Sequence, residues 1–200
     1  MKRIAVVASG RGSNFQAVID AIRNGKVPAE CVALITDSPK AYAIERAKKA
    51  GIPVRIIDYA TFPSREVYER ALLAAMQDVN ADLFVLAGYM RILGVLIVKA
   101  FPGKMINIHP ALLPSFTGLH AQRQAFHYGV KVSGCTVHFV DESLDGGPII
   151  LQQYVQVLET DDEDALAERI LMHEHECLPE AIRLFCEDRL VIEGRKVRVL

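Results

Sequence analysis

Two spacings of apolar residues alternate along this chain. Short bulky runs at 2–8, 31–35, 54–57, 83–87 and 105–108 read as strands buried on both faces. Between them the spacing turns helical. Phe15, Val18, Ile19 and Ile22 recur at i, i+3, i+4 and i+7, with Gly25 as a stop. Tyr68, Ala71, Leu72, Ala75, Met76 and Val79 line one face of a helix entered through Pro63 and Ser64. Runs at 136–140 and 149–157 are joined by a connection too short for a crossover helix, which predicts an antiparallel pair. A long helix is expected over 162–186, with Leu166, Ile170, Leu178, Ile182 and Phe185 inward and a bend at Pro179. The tail, 190–200, alternates around Glu193 and Gly194 as a small hairpin does. Alternating β and α predicts an α/β fold, a doubly wound and mostly parallel sheet in a single domain over 1–200.

Composition narrows the function classes. With 51% apolar residues in 200, the chain can bury a substantial core. A formal net charge of −1 with no basic stripe argues against a nucleic-acid partner. Cys31, Cys135, Cys177 and Cys186 lie far apart with no CxxC pair, so they are read as reduced and mostly buried. The apolar run after Arg3 is too short for a signal-peptide core, and nothing approaches a membrane span. A cytoplasmic protein without a membrane partner is expected.

Three stretches carry candidate chemistry. At 105–114 a strand ends on Asn107 and His109, which share one face because strand side chains repeat every second residue. Pro110 and Pro114 then force a turn. An amide donor beside an imidazole can hold an oxyanion and move a proton; a capping Asn and a His satisfied by backbone is the alternative. Farther on, 141–148 is an acidic turn whose Gly146, Gly147 and Pro148 suggest a shaped loop. An acid held near His109 would fix its tautomer and favour its charged form, and Asp145 is the candidate. Asp141 and Glu142 read as a solvated turn.

The third stretch, 9–14, is a glycine turn between a strand and a helix start, which aims backbone N–H groups and the positive dipole end at an anion. Phe15 stands where the dinucleotide fingerprint wants a third glycine, so one phosphate monoester fits better than a pyrophosphate. A valine at Gly12 would then fill the phosphate's place. The alternatives are a structural turn with Ser13 as N-cap, and a nucleotide site with Asp37 as its ribose acid. The turn and the segments 88–93 and 107–110 each follow a strand and are expected on the carboxyl edge of the sheet. His109, His120, His138, His173 and His175 could supply metal ligands, but there is no HExxH pattern, and His173 and His175 would face different sides of a helix. No metal is expected.

Together, SGRGSN at 9–14, AGYMRIL at 87–93, NIHPALLPSFTGLHAQRQA at 107–125, GCTVHFVDESLDGGPIILQ at 134–152 and HEHECLP at 173–179 resemble the phosphoribosylglycinamide formyltransferases. The resemblance runs through the whole chain in order and implies a complete single-domain member with the Rossmann-like formyltransferase fold. Two departures stand out. Thr117 replaces the proline of the family's loop, and 169–173 offers no amide side chain to a ribose.

Carried over by position, the resemblance implies Asn107, His109 and Asp145 as the catalytic trio. It implies Gly12, Ser13 and Asn14 as the ribonucleotide's phosphate site, with Glu174 also touching that substrate. Arg65, Met90, Arg91, Ile92 and Leu93, with Asn107, would bind folate. Arg65 would face the folate's acidic tail. Met90, Ile92 and Leu93 taken on composition alone would be ordinary core. The implied reaction passes the formyl group of 10-formyltetrahydrofolate, a co-substrate, to the glycine amine of 5'-phosphoribosylglycinamide in purine (IMP) biosynthesis, by a monomer or homodimer. Rival readings are another formyl-group enzyme, such as a formyltetrahydrofolate hydrolase or a methionyl-tRNA formyltransferase, and a non-catalytic nucleotide-binding module.

Overall fold

A computed structural model describes all residues, Met1–Leu200. By its internal contacts the chain gathers into two compact units, Met1–Ile106 and Asn107–Leu200. In the first, β1 (Lys2–Val7) pairs in parallel with β2 (Ala29–Thr36) on one side and β4 (Leu83–Leu86) on the other, and β2 pairs in parallel with β3 (Val54–Ile56). The strand order is therefore β3-β2-β1-β4. Ile4, Ala5, Val6, Leu83, Phe84 and Val85 have no exposed surface. That explains why these strands read as unbroken apolar runs rather than alternating ones: both faces are covered.

Helices α1 (Ser13–Arg23), α2 (Ala43–Ala50), α3 (Arg65–Val79) and α4 (Val95–Ala100) fill the connections. The expected entry of α3 is present, with Ser64 as N-cap accepting the Val67 N–H at 3.3 Å. Leu72 and Met76 on its inner face are buried, which stabilises the fold by roughly 1.5–3 kcal/mol each.

Strand β5 (Met105–His109) leads into the second unit, where α5 (Ala121–Tyr128), β6 (Val132–Phe139), β7 (Ile149–Gln156), α6 (Glu163–Cys186), β8 (Leu190–Glu193) and β9 (Lys196–Val199) follow. Strand order here is β5-β6-β7-β9-β8. The expected antiparallel pair is β6 and β7, in register from Val132↔Gln156 to Val137↔Leu151 and shifted by a bulge before His138. The tail forms the expected hairpin, β8 and β9, and Lys196 bridges to Ile149 of β7. Helix α6 starts one residue after its cap, Asp162, which accepts the Ala165 N–H at 2.8 Å. Pro179, expected to bend the helix, lies buried inside it, and α6 continues through it to Cys186. The architecture is α/β with a mostly parallel sheet, two antiparallel pairs (β6 with β7, β8 with β9) and a long C-terminal helix.

All four cysteines are free thiols. Only Cys135 is buried, however; the other three are partly accessible, against the expectation of mostly buried sulfur. No helix is long and apolar enough to cross a membrane.

Candidate active site

In the first unit, Gly12 is the N-cap of α1, in the left-handed conformation at φ 67°, and it offers no side-chain cap. Ser13 is thus the first helical residue, not the cap that the structural-turn alternative made it. Gly12 brings no side-chain acceptor to the helix start, where the positive end of the dipole lies, as at an anion site. A valine at Gly12 would not act as expected. A Cβ there would lie 2.8 Å from Ala43 Cβ and 3.5 Å from Arg46 Cδ, so a valine would press on α2 rather than fill a phosphate's place. Close approach of α2, together with the left-handed backbone, is what demands glycine. The same helix holds the turn from behind: the Ala43 N–H donates to Gly10 O at 3.1 Å, and Arg46 Nε to Arg11 O at 2.8 Å. Asn14 is largely buried on α1.

The turn abuts the loop after β4, as expected. The Ser9 N–H donates to Gly88 O at 3.1 Å, and the Met90 N–H donates to Ser9 Oγ at 3.0 Å. Met90 and Ile92 are 58% and 60% exposed, so the core alternative fails for both; Leu93 is half-buried. Arg91 Nε donates to Asp37 Oδ2 at 2.6 Å, and its guanidinium lies 3.5 Å from the Tyr59 ring centroid. Asp37, the alternative ribose acid, is thereby engaged by the protein. Arg65 opens α3, with Nε on Glu69 at 2.7 Å and Nη2 on Ile92 O at 3.0 Å. The hydrogen bond to Glu69 raises its already high pKa.

The second unit brings Asn107, His109 and Asp145 together. His109 is buried; its Nε2 donates to Phe116 O at 2.7 Å, and its Nδ1 is 3.5 Å from Asp145 Oδ2. Asp145 stands at φ 50°, a conformation that costs a non-glycine residue energy, and Oδ2 is anchored by the Gly118 N–H at 2.7 Å. Asp141 instead accepts the Ser143 N–H at 2.8 Å, closing the turn expected of it. Glu174 is buried on α6. Its charge acts on the thiol of Cys135, which is raised chiefly by its hydrogen bond to Cys177 and then by burial. Thr117 O accepts from Gln124 Nε2 at 3.2 Å, so the loop with the exchanged proline is tied to α5.

Two supporting groups escaped the sequence reading. His138, considered only as a metal ligand, meets Asn107 Nδ2 through Nε2 at 3.2 Å and Phe139 O through Nδ1 at 2.9 Å. A carbonyl can only accept, so Nδ1 carries the proton, Nε2 accepts from the Asn107 amide, and the carboxamide is oriented. Burial lowers the His138 pKa, which keeps the ring in this neutral form. Thr136 is the second. Its Oγ1 donates to Ala111 O at 2.7 Å and accepts from the Leu113 N–H at 3.1 Å and Gln152 Nε2 at 3.0 Å. It pins the turn that follows His109, which includes a cis Leu113–Pro114 bond. The available signal was Thr136 and His138 two apart in one mostly apolar run, 136–140.

His138 makes the stability of the fold depend on pH. Its folded pKa lies below the ordinary 6.5, so its unfolded form takes up a proton first on acidification. Its neutral-state contribution is complete above that value and is lost as pH falls from there through the folded pKa. Urea unfolding of wild type should therefore weaken more steeply than that of His138→Gln below neutral pH. Parallel profiles would refute this.

No three His, Cys, Asp or Glu side chains are gathered so as to hold a metal ion. The family model described as "Formyl transferase" matches residues 2–182. The chain is 48% identical over 191 residues to the trifunctional purine biosynthetic protein adenosine-3 of Drosophila pseudoobscura pseudoobscura, covering 94% of this chain but only 14% of that one. It is 42% identical to the phosphoribosylglycinamide formyltransferase of Escherichia coli (strain K12), covering 94% and 88% of the two chains. The crystal structure of glycinamide ribonucleotide transformylase 1 from Symbiobacterium toebii superposes with a TM-score of 0.97 at 52% identity, covering 100% of this chain and 94% of that one. The chain belongs to the formyl transferase family and, within it, to the phosphoribosylglycinamide formyltransferases.

Proposed function

We propose that this chain, acting as one formyltransferase domain in the cytoplasm, transfers the formyl group of 10-formyltetrahydrofolate to the glycine amine of 5'-phosphoribosylglycinamide. The observation that carries this reading is His109 set between the Phe116 carbonyl and the Asp145 carboxylate, beside an Asn107 oriented by His138. In the proposed reaction the amine nitrogen bonds to the formyl carbon, and the carbonyl oxygen becomes an oxyanion. Asn107 donates to it and the positive charge of a doubly protonated His109 stabilises it, each on the order of 3 kcal/mol of barrier. The bond from carbon to the folate nitrogen then breaks, and the proton lost by the amine ends on that nitrogen. Asp145 holds the imidazolium and organises that proton's passage. No resident metal is needed.

Gly12, Ser13 and Asn14 take the ribonucleotide's phosphate and Glu174 a second part of that substrate. Met90, Arg91, Ile92 and Leu93 receive the folate's ring by main chain and apolar side chains, and Arg65 lies toward its acidic tail. The exposed Met90 and Ile92 and the uncapped start of α1 support these assignments. Binding at the phosphate makes the amine a tethered nucleophile, an advantage of several kcal/mol that water does not share. Tetrahydrofolate release should therefore depend almost wholly on added ribonucleotide. The Ser13→Ala, Asn14→Ala double variant, checked by circular dichroism for folding, should lose transfer without gaining hydrolysis. Rapid release with no ribonucleotide present would overturn transfer in favour of hydrolysis.

A further inference from the structure

The loop 88–92 is neither helix nor strand, so no backbone ladder sets its shape. Each of its residues is instead tied by a group from another element of the first unit. Ser9 takes both Gly88 O and the Met90 N–H. The Tyr89 hydroxyl meets the Tyr68 hydroxyl at 2.7 Å, and burial raises the pKa of both phenols, so they stay protonated. Arg65 takes Ile92 O. The Arg91 guanidinium, which could have faced a substrate, is committed to Asp37 and to the face of Tyr59.

The last tie is built most heavily. The Asp37 side chain is only 4% exposed, so its hydrogen bond to Arg91 is charge-assisted and poorly screened. Tyr59 is held in turn: its N–H donates to Asp37 O at 3.1 Å, and its ring meets Tyr68 edge-on at 4.9 Å. Asp37 and Tyr59 thus form one clamp, joined by backbone and closed on a single guanidinium.

We propose that Asp37 and Tyr59 are positioning residues for the folate donor: by clamping Arg91 they set the loop conformation that receives its ring. The proposal rests on the assignment of 88–93 to folate. It predicts that Asp37 acts only through Arg91 and never touches substrate. Asp37→Asn keeps the shape but loses the charge, and Arg91 is accessible enough to swing into solvent and release the loop.

The test is calorimetric binding of tetrahydrofolate, which has no formyl group to transfer, to wild type, Asp37→Asn, Arg91→Gln and the double variant. Asp37→Asn should weaken binding about tenfold and raise the folate KM alike, leaving kcat and the ribonucleotide KM within about twofold. The double variant should be no worse than the weaker single one, because both remove the same tie. Tyr59→Leu, which keeps the ion pair, should weaken binding about threefold and serves if Asp37→Asn does not fold. Additive losses would make Asp37 an independent contact and overturn the proposal. So would unchanged affinity with a lowered Tm, the mark of a merely structural role. If tetrahydrofolate fails to bind wild type, the folate assignment falls and takes the proposal with it; binding that survives in Asp37→Asn and Tyr59→Leu overturns the clamp alone.

Discussion

Replacing His109 with alanine is expected to lower kcat about a thousandfold, with both KM values within a few-fold of wild type. The ring is held at both nitrogens in the free protein, by the Phe116 carbonyl and toward Asp145, so its orientation is set before any substrate arrives. A positive charge arranged in advance acts on the negative charge that develops only in the transition state, which is why the loss falls on kcat rather than on KM. Asp145→Asn should cost a smaller part of the same effect. Adding it to His109→Ala should change little, because an acid that works through the imidazole has nothing left to orient. Steady-state kinetics of the two single variants and the double variant check this. Multiplicative losses would show that Asp145 works by itself, and an unchanged kcat in His109→Ala would remove the imidazole from the chemistry.

Gly147→Ala is expected to destabilise the fold by on the order of 3 kcal/mol and to lower kcat as well. A Cβ at Gly147 would overlap the Phe139 carbonyl oxygen and approach the Asp141 nitrogen to 3.4 Å, and backbone atoms cannot rotate away as a side chain can. The loop would have to move, and Asp145 lies two residues earlier in its strained conformation. Arg195 of the C-terminal turn holds the same loop by donating to Gly146 O at 2.8 Å, which leaves it little room to adjust. Gly146→Ala is the control, because its new methyl would meet mainly the Ser143 side chain. Urea unfolding and kcat of both variants give the answer. Equal stability losses would mean that the Phe139 carbonyl does not shape the loop.

The pairing of Asn107 with His109 was legible because strand periodicity is local: two residues apart on β5 means one face, whatever surrounds them. Asp145 was legible as part of a loop whose glycines had to serve a shape. The glycine at position 12 was legible too, but its reason was not. Its neighbour is Ala43, a helix away, and no spacing within 9–14 announces that approach.

The sequence by itself determined the strands and the helices α1, α3 and α6, because burial on both faces or on one stripe writes its own period into the chain. It also determined the family and which side chains could carry chemistry. Only the tertiary structure decided how those side chains are held. His138 on Asn107, Thr136 on the turn after His109, and Asp37 on Arg91 are each brought together by strand order and crossover path. Neither strand order nor crossover path leaves a periodic signal. It also decided that Met90 and Ile92 face outward, since a loop pinned by its backbone can expose apolar side chains that composition alone would place in the core.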